Sequence, residues 1–128
     1  MVATVLCVED NPQNMRLVRK MLNSAGYQVI EAQDGESGYT TILEQRPDLV
    51  LMDVNLPDID GLQVTSAVKA LPDYSHIPII ALTANAMHGD RERCLEAGCN
   101  GYVPKPVTKN ELLSNVAYYL EQAERRTI

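Results

Sequence analysis

Five times along the chain a short apolar run gives way to a stretch with helical periodicity. That alternation points to a parallel α/β sheet with helices packed on its faces. The strand candidates are Thr4 to Val8, Gln28 to Ala32, Leu49 to Asp53, Ile77 to Leu82 and Gly101 to Pro104. Three of the runs, Val5-Leu6-Cys7-Val8, Leu49-Val50-Leu51-Met52 and Ile79-Ile80-Ala81-Leu82, are apolar at successive rather than alternate positions. Strands of that kind are covered on both faces, so these three are expected at the centre of the sheet. No internal repeat or low-complexity stretch interrupts the pattern, and 128 residues suit one domain with one core.

The helix punctuation agrees. Asn11 and Pro12 form an N-cap and first-turn pair, Met15, Val18, Leu22 and Ala25 recur at helical spacing, and Gly26 supplies a left-handed stop. A second helix is expected from Glu36 to Gln45, stopped by Arg46-Pro47, and a third from Gly61 to Ala70, ending near Pro72. The fourth is expected from Asn85 to Ala97, closed by Gly98. The last begins at Thr108, whose hydroxyl can cap the first turn while Glu111 completes a capping box, and it turns Leu112, Leu113, Val116 and Leu120 to the core.

A net charge of -6, with no basic stripe beyond the Arg91, Arg93 and Arg125, Arg126 pairs, argues against direct binding of nucleic acid. The N-terminus lacks a basic segment followed by a long apolar one, so neither a signal peptide nor a membrane span is expected, and the compartment implied is the cytoplasm. Cys7, Cys94 and Cys99 are odd in number and widely spaced, which reads as reduced thiols, with Cys7 in the core. Met15, Met21 and Met52 read as core filling, and His76 and His88 as loop histidines.

Open parallel sheets bind ligands beyond the carboxyl ends of their strands. Here the first strand ends in Glu9-Asp10, the third in Asp53, the fourth in Thr83 and the fifth in Lys105. Three carboxylates on one rim repel one another unless neutralised, and an all-oxygen cluster suits a hard dication such as Mg2+. Adding a lysine and a hydroxyl gives what phosphoryl transfer needs, and Asp53, at the middle of the sheet, is the natural nucleophile. Taken singly, Glu9-Asp10 would be solvated turn acids and Asp53 a strand-terminal acid. Asp58 and Asp60 also lie near the rim, Asp60 as a helix cap.

At these residues the chain resembles the receiver domains of two-component response regulators. The resemblance runs through Val8-Glu9-Asp10-Asn11, Leu51-Met52-Asp53-Val54-Asn55-Leu56-Pro57 with Asp60-Gly61, Ala81-Leu82-Thr83-Ala84 and Gly101-Tyr102-Val103-Pro104-Lys105-Pro106. Asn85-Ala86-Met87 and Gly89-Asp90 bring it nearest the stand-alone receivers of cell-cycle and polarity signalling and the receivers of hybrid histidine kinases. The resemblance implies a single (βα)5 doubly wound domain with strand order 2-1-3-4-5, spanning residues 1–124, and a tail at 125–128. Asp53 matches the acceptor of a phosphoryl group from a phosphohistidine. Glu9 and Asp10, with Asp53 and the backbone carbonyl of Asn55, match the Mg2+ site. Lys105 matches the lysine that pairs with acceptor and phosphoryl group, ahead of a cis bond to Pro106. Thr83 matches the switch hydroxyl and Tyr102 the switch aromatic, although a half-buried tyrosine at a sheet edge needs no such role. The face of the fourth helix, fifth strand and fifth helix would then report the change to a downstream protein. The donor would be a sensor histidine kinase or a histidine phosphotransfer protein, and the domain would catalyse only its own phosphorylation and dephosphorylation. Glu9 stands where the family more often has Asp, which lengthens one arm of the metal site. With too few residues after the last helix for an output domain, a free-standing receiver and one excised from a longer protein both fit, Met1 mildly favouring the first.

Other chemistries fit less well. An aspartate-nucleophile phosphatase would want a second acid where Asn55 stands, and a flavodoxin-like carrier a phosphate loop where Glu9-Asp10 would repel the phosphate. A receiver serving only as an interaction module leaves the filled chemical positions unexplained.

Overall fold

The computed structural model describes residues 2–84 and 89–126, the last two as backbone alone. Five strands, β1 (Thr4–Val8), β2 (Gln28–Ala32), β3 (Leu49–Asp53), β4 (Ile79–Thr83) and β5 (Gly101–Pro104), alternate with α1 (Pro12–Ser24), α2 (Gly35–Gln45), α3 (Gly61–Lys69), α4 (Arg91–Ala97) and α5 (Lys109–Arg126). The sheet is wholly parallel in the order β2-β1-β3-β4-β5. The three runs of consecutive apolar residues lie at its centre, β3 and β4 buried at every position and β1 at all but Thr4.

Alternate side chains along these strands feed two separate layers. Leu6, Val50, Met52, Ile79 and Ala81 pack with Ile42 of α2, Val64 and Val68 of α3 and Cys94 of α4. Val5, Cys7, Leu49, Leu51, Ile80 and Leu82 pack on the other face with Met15, Val18 and Leu22 of α1 and Leu112 and Val116 of α5. A strand apolar at every position is what a sheet with helices on both sides requires. Met21, Leu113 and Leu120 cover the second layer from its margin. Ala25 is instead exposed at the C-terminal cap of α1.

The boundaries shift for local reasons. β4 begins at Ile79, not Ile77, because Pro78 has no N–H for the ladder and the Ile77 N–H closes the preceding turn on the Tyr74 carbonyl at 3.1 Å. It ends one residue later than expected, since the Thr83 carbonyl accepts from the Lys105 N–H at 2.8 Å. α4 begins at Arg91 rather than Asn85: Gly89 has φ 82°, which no α-helix accommodates, and positions 85–88 lie outside the described residues. α2 starts one residue early at Gly35, under a capping box formed by Asp34 and Ser37, and α3 ends one residue early at Lys69. At α5 only half the expected box is made: the Glu111 N–H donates to Thr108 Oγ1 at 3.3 Å. α5 continues through positions 125 and 126, assigned above to the tail.

Asn11 caps α1 as expected, its side-chain oxygen accepting from the N–H groups of Gln13 at 2.9 Å and Asn14 at 3.1 Å. Asn11→Ala leaves both donors to water and is expected to cost about 1 kcal/mol. Urea unfolding of the two proteins checks this, as a lower midpoint at unchanged slope.

Candidate functional site

The carboxyl ends of β1, β3 and β5 bring Glu9, Asp10, Asp53 and Lys105 to one rim. Glu9 is 1% exposed and Asp53 2%, so two carboxylates lie essentially out of water. Asp53 closes β3. Its Oδ1 accepts from the Asn55 N–H at 3.0 Å and its Oδ2 from Lys105 Nζ at 3.0 Å. Glu9 Oε2 accepts from the Asn11 N–H at 3.1 Å. Glu9 Oε1 lies 3.0 Å from the same Lys105 nitrogen, yet that approach is not aligned as a hydrogen bond and the oxygen has no other partner among the described residues. One ammonium therefore spans two buried carboxylates, and Asp10 adds a third, exposed one.

The electrostatics follow. Burial raises the Glu9 carboxyl above its usual range, and the Asp53 side chain adds to the rise. Burial pulls Lys105 down, but its contacts with Glu9 and Asp53 outweigh that, so its ammonium is held above the ordinary lysine value and stays charged. Oxygen atoms of Glu9, Asp10 and Asp53 lie within 4.8 Å of one another. Among the described residues these are three oxygen donors with a single neutralising cation, one donor a buried oxygen without an aligned partner, and such a set fits a hard dication.

The backbone holds this rim together. The Val54 N–H extends the β3–β4 ladder onto the Leu82 carbonyl at 3.0 Å, and the chain returns beneath Asp53 at Gly61, whose N–H donates to the Val54 carbonyl at 3.1 Å. The Lys105-Pro106 bond is cis, as the resemblance implied. Asp60 caps α3 through the Leu62 N–H at 2.8 Å, as the sequence suggested.

Asp58 has a task the sequence did not disclose. It accepts from the Gly35 N–H at 2.7 Å and the Glu36 N–H at 2.9 Å, tying the loop after β3 to the start of α2, and those two bonds hold its carboxyl below the usual range. Both Asp58 and Asp60 are thus occupied by helix starts. Thr83 is fully buried, and its hydroxyl donates to Asp90 Oδ2 at 2.6 Å. Asp90 is itself 5% exposed, with Oδ1 accepting from Arg93 Nη1 at 2.9 Å. Sequence reasoning gave Asp90 no chemical role, and its one visible signal is an acid directly after a glycine at a helix start. Tyr102 is half-buried against the α2–α3–α4 layer, with the Arg91 guanidinium 5.8 Å from its ring centre.

Of the histidines, His76 is exposed in the loop before β4, at the other end of the sheet, and His88 lies outside the described residues. The three cysteines are unpaired and buried, and burial pushes the Cys99 thiol up to about 12, where it is unreactive. A groove of about 620 Å³ opens among Tyr27, Arg46, Asp48 and His76, far from the acidic rim. No helix among the described residues is long and apolar enough to cross a membrane.

The family model described as response regulator receiver domain matches residues 5–117. The polar-differentiation response regulator DivK of Brucella anthropi is 41% identical over 123 residues, covering 96% of this chain and all of that protein. The receiver domain of sensor histidine kinase PA1611 from Pseudomonas aeruginosa, solved with a magnesium ion coordinated in its active site cleft, superposes with a TM-score of 0.88 at 41% identity. That match covers 94% of this chain and 99% of the other. A putative response regulator from Chloroflexus aurantiacus superposes at 0.91 with 33% identity, again over 94% of this chain and 99% of the other. Of the two groups suggested by the sequence, a polarity receiver is among its relatives, and beside it, in place of a named hybrid kinase, stands the receiver of a sensor histidine kinase.

Proposed function

The chain belongs to the response regulator receiver domain family, and we propose that it takes a phosphoryl group from a partner's phosphohistidine onto Asp53 and thereby switches a protein-binding face. The observation that carries this is the setting of Asp53: a buried carboxylate at the middle of the sheet, gripped by Lys105 and the Asn55 N–H and flanked by Glu9 and Asp10.

In the reaction an oxygen of Asp53 bonds to phosphorus as the bond from phosphorus to the imidazole nitrogen breaks, and the imidazole leaves with that electron pair. Glu9, Asp10, Asp53 and the Asn55 carbonyl would hold Mg2+, which when bound supplies positive charge against the phosphoryl oxygens. Lys105 stands 3.0 Å from Asp53 Oδ2, so its ammonium is already in place for the charge that transfer brings. The Asn55 N–H orients the acceptor carboxylate through its other oxygen. Thr83 and Tyr102 would carry the change to the face of α4, β5 and α5, where a downstream target binds. The donor is a sensor histidine kinase or a histidine phosphotransfer protein. The domain acts on no external substrate, and it works in the cytoplasm, where buried free thiols stay reduced.

Treatment with acetyl phosphate, with and without Mg2+, followed by borohydride reduction tests this, because borohydride converts an acyl phosphate side chain to an alcohol that peptide mass can locate. One reduced side chain, at position 53 and dependent on Mg2+, is expected. Modification at another residue would overturn the assignment. So would no modification from either acetyl phosphate or a phosphohistidine donor.

A further inference from the structure

We propose that Asp90 is a positioning residue: it holds the Thr83 hydroxyl away from Asp53 and so sets how readily a phosphoryl group is accommodated there. This rests on Asp53 being the phosphoacceptor. Thr83 ends β4 one position beyond Leu82, which pairs with Asp53, so its side chain lies at the rim beside the acceptor strand. A threonine hydroxyl has one proton to give. Here that proton goes to Asp90 Oδ2 at 2.6 Å, a length typical of a hydroxyl bonded to a carboxylate. Both groups are buried, where water offers no easy substitute.

A phosphoryl oxygen on Asp53 and the Asp90 carboxylate therefore compete for a single donor. For the hydroxyl to serve the first, it must leave the second. Asp90 can tolerate that loss, because Arg93 Nη1 stays on its other oxygen at 2.9 Å. Arg93 in turn lies 3.6 Å from Asp60 Oδ2, and Asp60 caps the helix that follows the acceptor loop. The arrangement is a two-position donor whose resting position is fixed by a residue at the start of α4, directly ahead of the face proposed to switch. A binding partner for Asp53 that needs the hydroxyl sees only the fraction of molecules in which Asp90 has released it, and its apparent affinity falls by that fraction.

Removing the acceptor should raise that fraction. A hydrogen bond to a charged group is worth a factor of about ten in an equilibrium. Asp90→Ala is thus expected to bind beryllofluoride, with Mg2+, about tenfold more tightly than the parent protein. Asp90→Asn, which keeps one acceptor oxygen but no charge, is expected in between. Titration calorimetry on the full chain measures both, and the Asn variant preserves the shape of the site should the Ala variant fold poorly. Arg93 is more than half exposed, so the loss of its partner leaves it solvated.

A role in packing alone is separated by the Thr83→Ala background. There the Asp90→Ala change is expected to leave beryllofluoride affinity where it was, because no hydroxyl remains to release. Unchanged or weaker binding by both Asp90 variants would overturn the proposal, as would an equal gain with Thr83 absent. Asp53→Asn serves as the control: binding that survives it would refute the phosphoacceptor reading, and this inference would fall at that earlier step. Beryllofluoride binding abolished by Asp53→Asn but indifferent to Asp90 would refute the Asp90 role alone.

Discussion

Asp53→Asn is expected to take up no phosphoryl group from acetyl phosphate at any Mg2+ concentration, as read by intact-protein mass. The amide that replaces the carboxylate is a poor nucleophile, and among the described residues no other acid stands in the same setting. Asp58 is engaged with two N–H groups of α2 and Asp60 with one of α3. Glu9 shares the lysine, but burial raises its carboxyl and the N–H of Asn11 occupies its second oxygen. The substitution is nearly isosteric, so the loss should not come from unfolding, yet it does disturb the site. An amide has one acceptor end and one donor end. Since Asp53 faces the Asn55 N–H on one side and Lys105 on the other, one of these donors must meet another donor. The variant is therefore expected to bind Mg2+ more weakly as well as to refuse phosphate. Persistent uptake of one phosphate per chain would show that Asp53 is not the acceptor.

What could be read from the chain divides along a physical line. The central strands announce themselves because both faces are covered, so apolar residues fill successive positions, as at Leu49 to Met52. Asn11, Asp60 and Gly26 are legible for a similar reason: a cap or a left-handed stop depends on residues within a turn of itself. Glu9, Asp10, Asp53 and Lys105 can be gathered from the sequence because a parallel sheet brings all its carboxyl ends to one edge. What fails is any feature decided by a partner remote in sequence. Asp58 binds backbone 22 and 23 residues away, and nothing near it predicts that. The partner of the Thr83 hydroxyl is hidden because it depends on where α4 begins, and the sequence spacing places Gly89 inside that helix although its φ of 82° lies ahead of it. The start of β4 is two residues later than the apolar run suggests because Ile77 looks like strand, while Pro78 beside it accepts from the Val50 N–H but has no N–H of its own to extend the ladder.

The glycine beneath Asp53 joins fold and site. Gly61→Ala is expected to destabilise the protein by about 3 kcal/mol or more, at the upper end for overpacking, because what the new methyl meets is backbone. A Cβ at position 61 would lie 2.0 Å from the Asp53 carbonyl oxygen and 3.0 Å from its carbon. That carbonyl ends β3, and the next residue is held to the Leu82 carbonyl by its own N–H, so the strand cannot give way without breaking its ladder. Gly101→Ala is the matched comparison. Its Cβ would approach Tyr119 to 2.6 Å, but the obstacle there is a partly buried side chain that can turn aside, so a much smaller loss is expected. The two effects separate again in function. Relief at position 61 that moves the Asp53 backbone also disturbs the 3.0 Å contact of its carboxylate with Lys105 Nζ, and a displacement near 1 Å can cost about a hundredfold in rate. Urea unfolding and acetyl phosphate uptake, measured on both variants where each remains folded, should show Gly61→Ala impaired in both and Gly101→Ala near the parent in the second. Equal unfolding midpoints for the two would mean that the chain around Asp53 yields more easily than its hydrogen bonds allow.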